Sequence, residues 1–394
     1  MTAILEAIRP EARNAPESRI VDVFNRGRDK AGLVPLWVGE GDLPTPSFIS
    51  DATTRALTGG ETFYTYQRGV PELRQALSDY YRRHFDAAVD PERIIVCGSG
   101  MQSIHMAMRI TSGPGNTVVL HAPCWPNTPA SAELNGAALR FVTMDYGPAG
   151  WTLDVGALMD ACDDTTSAIF INTPSNPTGW VMPLDDMRAL LDFARRRGIW
   201  IVADEIYARY VYDGQTRAPS FLDIAEPDDR ILFCNSFSKN WAMTGWRVGW
   251  LVTPPGLGQV CENLVQYNTS GVPAFLQRGC VAALSSEGDA FVADQIERAR
   301  TGRTIVMEAL GGSNRVDIAA PVGSFYAFFA VHGFDDSHAL AIRLIDEANV
   351  GLAPGNAFGP GGERFMRLCF CRSADDVRTG VARIVDWIGA QKGG

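Results

Sequence analysis

Lysine is scarce in this chain. Only Lys30, Lys239 and Lys392 occur among its 35 basic residues, so chemistry that needs a primary amine has three candidates. Lys239 has the most reactive surroundings, because it sits in SFSKNWAMTGWRVG (236 to 249), where an apolar run ends in a serine-rich loop and Arg247 follows eight residues later. A lysine amine condenses with an aldehyde once it is deprotonated, which burial and a cationic neighbour favour. The hydroxyls of Ser236 and Ser238 and the guanidinium of Arg247 can hold a phosphate through charge-assisted hydrogen bonds. A lone loop lysine is ordinarily a surface charge; here its rarity and its neighbours argue for a covalently held, phosphate-bearing group.

Four further segments end apolar runs in residues that could serve such a group. IWIVADEIY (199 to 207) closes on Asp204 and adds Tyr207. An acid at the carboxyl end of a parallel strand lies where α/β proteins bind ligands, but Asp is also a favoured helix cap, and both readings stay open. CGSGM (97 to 101) brings Ser99, Gly100 and Met101 between a strand and a helical run, where small residues let backbone amides approach a phosphate or simply make a tight turn. NTPSNPTG (172 to 179) is a turn-rich loop whose Asn176 offers an amide beside a proline that could be cis. APCWPN (122 to 127) sets Trp125 past a strand end, where its face could stack on a flat ring or pack in a core.

These segments need a scaffold that gathers strand ends. Seven short aliphatic and β-branched runs, RIIVC (93 to 97), TVVL (117 to 120), LRFVTM (139 to 144), AIFIN (168 to 172), IWIVAD (199 to 204), ILFCNS (231 to 236) and VGWLV (248 to 252), alternate with helical patterns. Continuous apolar runs suit strands buried on both faces, and Leu184, Met187 and Leu191 fall on one stripe of an intervening helix. The pattern predicts an α/β fold, with a large domain built on a mostly parallel seven-stranded sheet flanked by helices. After residue 255 it changes to two long helical stretches, 257 to 284 and 288 to 310. Then come a strand at SFYAFFAVHG, a helix at 336 to 349, a strand at FMRLCF and a closing helix. This predicts a smaller α+β domain. The boundaries expected are an N-terminal arm over 1–46, packed on the small domain or on a partner, a large domain over 47–285 and a small one over 286–394.

Composition narrows the partners. A net charge of -10 excludes a general nucleic-acid or anionic-membrane binder, either of which needs a basic face. No apolar run approaches a membrane span, and the acidic residues of the opening segment do not suit a leader, so a cytoplasmic location is expected. Eight scattered cysteines with no CxxC pair read as buried thiols, and no metal site is expected.

Taken together, SKNWAMTGWRVG, NPTG, ADEIY, GVPELR, PGNAFG and MRLCF stand in the order and spacing of the aspartate aminotransferase family, and the chain resembles the fold type I, class I and II pyridoxal-phosphate enzymes over residues 18 to 385. The resemblance implies a pyridoxal 5'-phosphate cofactor in the large domain, bound to Lys239 as an aldimine. It implies that Lys239 moves the proton at the substrate Cα, that Asp204 pairs with the pyridine nitrogen, and that Tyr207 and Asn176 bond the ring's phenolic oxygen. Ser99, Gly100, Met101, Ser236, Ser238 and Arg247 would hold the phosphate, and Trp125 would stack on the ring. Tyr64, in FYTYQRG, matches a tyrosine that reaches the neighbouring subunit's phosphate, which implies a homodimer with shared sites. Arg367 matches the arginine that grips the α-carboxylate of amino-acid and 2-oxo-acid substrates, and Gly39 a glycine facing the same group. Read without the resemblance, Arg367 could be a charge-paired strand residue.

The chain departs from the family where substrate is decided. No residue matches the arginine that recognises a distal carboxylate in the aspartate-specific branch, and QYNTSGVP (266 to 273) resembles the broader branch. Trp37, Tyr66, Trp125 and Trp241 hint at apolar or aromatic substrates. The function implied is transfer of an L-amino acid's α-amino group to a 2-oxo acid. A carbon–sulfur β-lyase of the same fold is the alternative, since PLWVGEGDLPTP and FYTYQRG also resemble that group. A regulatory cofactor-binding domain is disfavoured by the short N-terminal segment.

Overall fold

The computed structural model describes residues 3–391, so Lys392 lies outside the described residues. The first helix that bears on the site, α1 (Arg19–Gly27), is capped by the Ser18 side chain on the Val21 amide. Its polar face is tied to the C-terminal part of the chain by Asp22 with His338 at 2.7 Å and Arg26 with Asp346 at 2.7 Å. Beyond it, Val34–Pro35 pairs in parallel with Val350–Gly351, so the stretch 19–35 packs on the C-terminal part of the chain.

All seven apolar runs are strands of one sheet: β1 (Ile94–Cys97), β2 (Thr117–Ala122), β3 (Ala138–Thr143), β4 (Thr166–Asn172), β5 (Trp200–Asp204), β6 (Ile231–Ser236) and β7 (Gly249–Val252). Their order is β1-β7-β6-β5-β4-β2-β3. Only β7 runs antiparallel, between β1 and β6. The strands between them are buried on both faces, as helices cover each side. Helix α2 (Gly100–Thr111) follows β1, and α3 (Leu184–Arg197) leads into β5. The latter carries Asp185 and Asp186 in its first turn and three arginines in its last, and it ends on Gly198 at φ 66°, so charges and cap agree with the helix dipole.

The stretch expected as one helix over 257 to 284 is two, α4 (Gly258–Gln266) and α5 (Ala274–Ala283). The chain between them carries Ser270 at φ 57° and Gly271 at φ 105°, followed by Pro273, a combination no helix continues through. Next comes α6 (Ser286–Leu310), which packs on the closing helix α7 (Ala374–Ala390). They cover an antiparallel sheet of β8 (Val316–Ile318), β9 (Tyr326–Val331), β10 (Ala353–Pro354) and β11 (Phe365–Cys369), in the order β8-β9-β11-β10. The helix expected at 336 to 349 is α-helical over Ser337–Arg343 and closes as a π turn over Leu344–Ala348. Among the described residues no helix is long and apolar enough to cross a membrane, and no acidic, histidine and cysteine cluster could hold a metal. All eight cysteines are buried and free.

Candidate active site

The carboxyl ends of β1, β2, β4, β5 and β6 open on one edge of the sheet, and β7 begins there. Between that edge, α1 and the small sheet lies a cavity of about 430 Å³. Parallel strands turn their chain ends to the same side, which is why motifs far apart in sequence meet here. Gly39, Gly100, Met101, Trp125, Asn176, Asp204, Tyr207, Ser236, Ser238, Lys239, Arg247 and Arg367 all line the cavity. Ser99 and Tyr64 do not.

Lys239 follows β6 by three residues, and its Nζ donates to the Gly39 carbonyl at 2.6 Å. Burial lowers its pKa from the usual lysine value, the nearby Arg367 guanidinium adds to this, and the amine is thereby shifted toward its nucleophilic form. Lys30, by contrast, donates to the backbone carbonyls of Ile345 and Asp346, away from the cavity.

Asp204 ends β5 almost fully buried, and among the described residues the Ile206 amide at 3.3 Å is the one hydrogen-bond donor to its carboxyl. Desolvation raises its pKa to about 7, against the smaller opposing effects of that amide and of Lys239. A carboxyl so poorly partnered is stabilised as an anion only when a cation faces it. Tyr207 lies one turn further along, its hydroxyl 2.7 Å from that of Tyr326, and desolvation raises its pKa well above the ordinary tyrosine value. That pair needs a glycine at 39, since a Cβ there would stand 2.2 Å from the Tyr326 hydroxyl.

Asn172, at the end of β4, braces this edge. Its side chain accepts the Asn176 amide at 2.7 Å and donates to the Asp204 carbonyl at 3.1 Å. Asn176, followed by a cis proline, in turn accepts from Arg367 Nη1 at 2.9 Å. Arg367 is 3% exposed on β11, donates also to the Trp37 carbonyl, and lies over the rings of Tyr326 and Phe358 at 4.5 and 4.9 Å. Its Nε has no partner, and no carboxylate pairs with it among the described residues. This removes the reading of Arg367 as a charge-paired strand residue: its hydrogen-bond partners among the described residues are neutral.

The remaining polar corner is a cradle. Ser238 donates its amide to Ser236 Oγ at 3.1 Å, and the two hydroxyls lie 2.9 Å apart. Beside them α2 begins. Ser99 caps it through Gln102, which leaves the amides of Gly100 and Met101 for the cavity, so Ser99 contributes as a cap and its side chain is not on the wall. A Cβ at Gly100 would reach within 2.9 Å of Ser236, and one at Gly249 within 2.5 Å of the Gly100 nitrogen, so both glycines allow the loop to close on β6 and β7. Arg247 holds a left-handed backbone, φ 55° and ψ 55°, and among the described residues only the Thr244 carbonyl engages its guanidinium. Helix amides, two hydroxyls and a guanidinium are the kinds of donor that can hold an anion.

Tyr64 is 93% exposed, as Phe63, Tyr66 and Tyr267 are exposed, and it does not line this chain's own cavity. The aromatic hint also shifts. Trp37 and Trp241 are buried core residues and Tyr66 is exposed, so only Trp125 of the four reaches the cavity. Sequence reasoning passed over Asn172, Tyr326 and the apolar wall of Ile20, Val21, Phe24 and Val38. A buried Asn at a strand end in AIFIN was a usable signal; the helix residues carried none.

The fold and cavity define an enzyme of the α/β class that holds a phosphorylated group at strand ends beside a single lysine. Residues 32–384 match the family model described as aminotransferase class I and II. An aspartate aminotransferase of Thermotoga maritima is 30% identical over 373 residues, 94% of each chain. A crystal structure of the Thermotoga maritima aspartate aminotransferase superposes with a TM-score of 0.90 at 27% identity, over 97% of this chain and 100% of that one. A Methanococcus jannaschii structure, described as similar in its active site to kynurenine aminotransferases, superposes at 0.87 with 27% identity, over 97% and 100%. The chain belongs to the class I and II aminotransferase family. It is a pyridoxal-phosphate-dependent aminotransferase acting on amino and 2-oxo acids. These findings do not favour the β-lyase alternative.

Proposed function

We propose that this cavity transfers an α-amino group with Lys239 as the covalent anchor and proton carrier, Asp204 and Arg367 setting the electronics and the grip. The observation that carries this reading is that Lys239, Arg247 and Arg367 line one cavity with neutral partners only, among the described residues. None of the three has an anionic partner among the described residues. Pyridoxal phosphate supplies an aldehyde for the amine, a phosphate for the cradle and an electron sink for the charge left at Cα.

This chain's residues would do the rest. Lys239, oriented by the Gly39 carbonyl, would take and return the proton at the substrate Cα. The Asp204 carboxylate keeps a proton on the ring nitrogen, which relieves its own unmet burial. Tyr207 and Asn176 bond the phenolic oxygen, Trp125 covers the ring, and Ser236, Ser238, Arg247 and the Gly100 and Met101 amides hold the phosphate. Arg367 grips the α-carboxylate beside Gly39, its fork suited to bidentate pairing. Borohydride reduction followed by peptide mapping tests the anchor: label on Lys239 is expected, and Lys239→Ala should abolish both label and turnover. Label on Lys30 or Lys392 would refute it.

The same reading makes the enzyme a homodimer in which Tyr64 reaches the partner subunit's phosphate, in keeping with its exposure among three other exposed aromatic residues. Co-expressing a Lys239→Ala chain with a Tyr64→Ala chain should restore activity above either parent, since one site of the heterodimer then has both residues. Pairing Lys239→Ala with Arg247→Ala should restore none. Equal behaviour of the two mixtures would remove Tyr64 from the shared site. A cytoplasmic location, in line with eight free thiols, is checked by cell fractionation.

A further inference from the structure

We propose that the wall formed by α1 and Val38 selects amino donors with large apolar side chains over the dicarboxylic ones. This rests on the reading of Arg367 as the α-carboxylate grip, and it asks what remains for the donor's side chain. The cavity wall holds three basic residues and no more among the described residues. Arg247 stands at the cradle, Lys239 on the Gly39 carbonyl, and Arg367 beside Asn176, so each is committed. Among the described residues of this chain, no fourth cation lines the cavity to meet a second carboxylate.

The unassigned wall is apolar. Ile20, Val21 and Phe24 come from consecutive turns of α1, and Val38 from the strap that precedes Gly39. Their direction is set by the helix's other face, which Asp22 and Arg26 pin to His338 and Asp346. Phe24 also packs edge-on against Trp37, with ring centroids 5.4 Å apart, and the Trp37 carbonyl accepts from Arg367. The apolar wall is thus placed next to the residue that grips the α-carboxylate. Val21 is 53% exposed, so it sits at the mouth, where an apolar side chain could cover it. A side-chain carboxylate placed there would lose water and gain no partner, whereas a leucine, methionine or phenylalanine side chain would bury apolar surface on both sides of the contact.

The test uses purified holoenzyme in single-turnover half-reactions, following loss of the lysine-bound cofactor's absorbance with L-phenylalanine, L-leucine, L-methionine, L-aspartate and L-glutamate. The apolar donors are expected to exceed both dicarboxylic ones at least tenfold in kcat/KM. Calorimetry gives a second readout without turnover: 3-phenylpropanoate should bind at least tenfold tighter than succinate. Val21→Arg, at an exposed position that tolerates charge, should narrow the donor ratio at least tenfold by raising aspartate. Aspartate or glutamate equal to the apolar donors, succinate the tighter ligand, or a donor ratio unmoved by Val21→Arg would each overturn the proposal. If no amino acid discharged the absorbance while 3-phenylpropanoate still bound tighter, the amino-transfer roles would fall and the apolar wall would stand.

Discussion

The two walls of the cavity are built by different rules. The sheet-edge wall is largely polar and is assembled from the ends of five parallel strands, each contributing one to three residues fixed by backbone geometry. The facing wall, from α1 and the strap before Gly39, is apolar and is assembled by packing. The first wall can move only if the sheet moves, because Asn172 ties the end of β4 to Asp204 on β5 and to Asn176. The second rests on surface ion pairs and one aromatic contact, which are individually worth little. On the proposed reading, the amino-transfer chemistry is kept on the rigid side, and selectivity is left to the side where substitution costs least.

Substitutions on the rigid side should therefore disable every donor alike, while those on the apolar side redistribute donors. Asp204→Asn should have the larger effect. The amide preserves shape but cannot hold a proton on the ring nitrogen, so turnover should fall by on the order of 100-fold or more with all donors while cofactor stays bound. Turnover near the wild-type value would return Asp204 to the role of a helix cap. Cofactor content and turnover measured on one preparation decide it.

Arg367→Lys should follow. The ammonium cannot reproduce the bidentate fork, and a lost charge-assisted pair costs about 1.5 to 3 kcal/mol, or roughly 10- to 150-fold in affinity. Amino acids and 2-oxo acids carry the same α-carboxylate and should weaken together, leaving the donor order unchanged. Unchanged apparent affinity for both would take Arg367 out of the grip. A reordering of donors would mean that the two walls are not separable in the way the geometry suggests.

The same contrast governs how much was legible in the sequence. Six strands of the large sheet were readable because they are buried almost throughout and so are largely apolar, while the edge strand β3, only partly buried, was readable from its aliphatic and aromatic residues despite Arg140. The residues at their ends were readable because polar side chains there break that pattern abruptly, as Asp204 and Lys239 do. The break between α4 and α5 was missed although Gly271 and Pro273 announced it, because apolar periodicity on either side ran on past them. Tyr326 and the α1 residues stayed invisible for a different reason. Their significance lies in contacts over hundreds of residues, such as Tyr326 with Tyr207, and nothing local separates Ile20 or Phe24 from any other amphipathic helix face.

The smallest effect expected on the rigid wall is thermodynamic and belongs to the cofactor-free protein. Burial raises the Asp204 pKa to about 7 in the fold, above the usual carboxylate range of the unfolded chain. A raised folded-state pKa means that the native protein holds a proton which the unfolded chain has already released. That contribution is present at low pH and is lost as pH rises through about 7. Between pH 6 and pH 8 the loss amounts to about 1.4 kcal/mol for one such group. Glu205 is buried and shifted to about 7 as well, held by Ser220 and the Phe221 amide, so the wild type alone cannot isolate the effect. Urea unfolding of the cofactor-free wild type and of Asp204→Asn at both pH values does isolate it. The wild type should lose about 1.4 kcal/mol more than the variant over that interval, because Glu205 is common to both. Identical pH dependence in the two proteins would show that Asp204 is already ionised in the empty site, and that no unmet burial draws a cation to it.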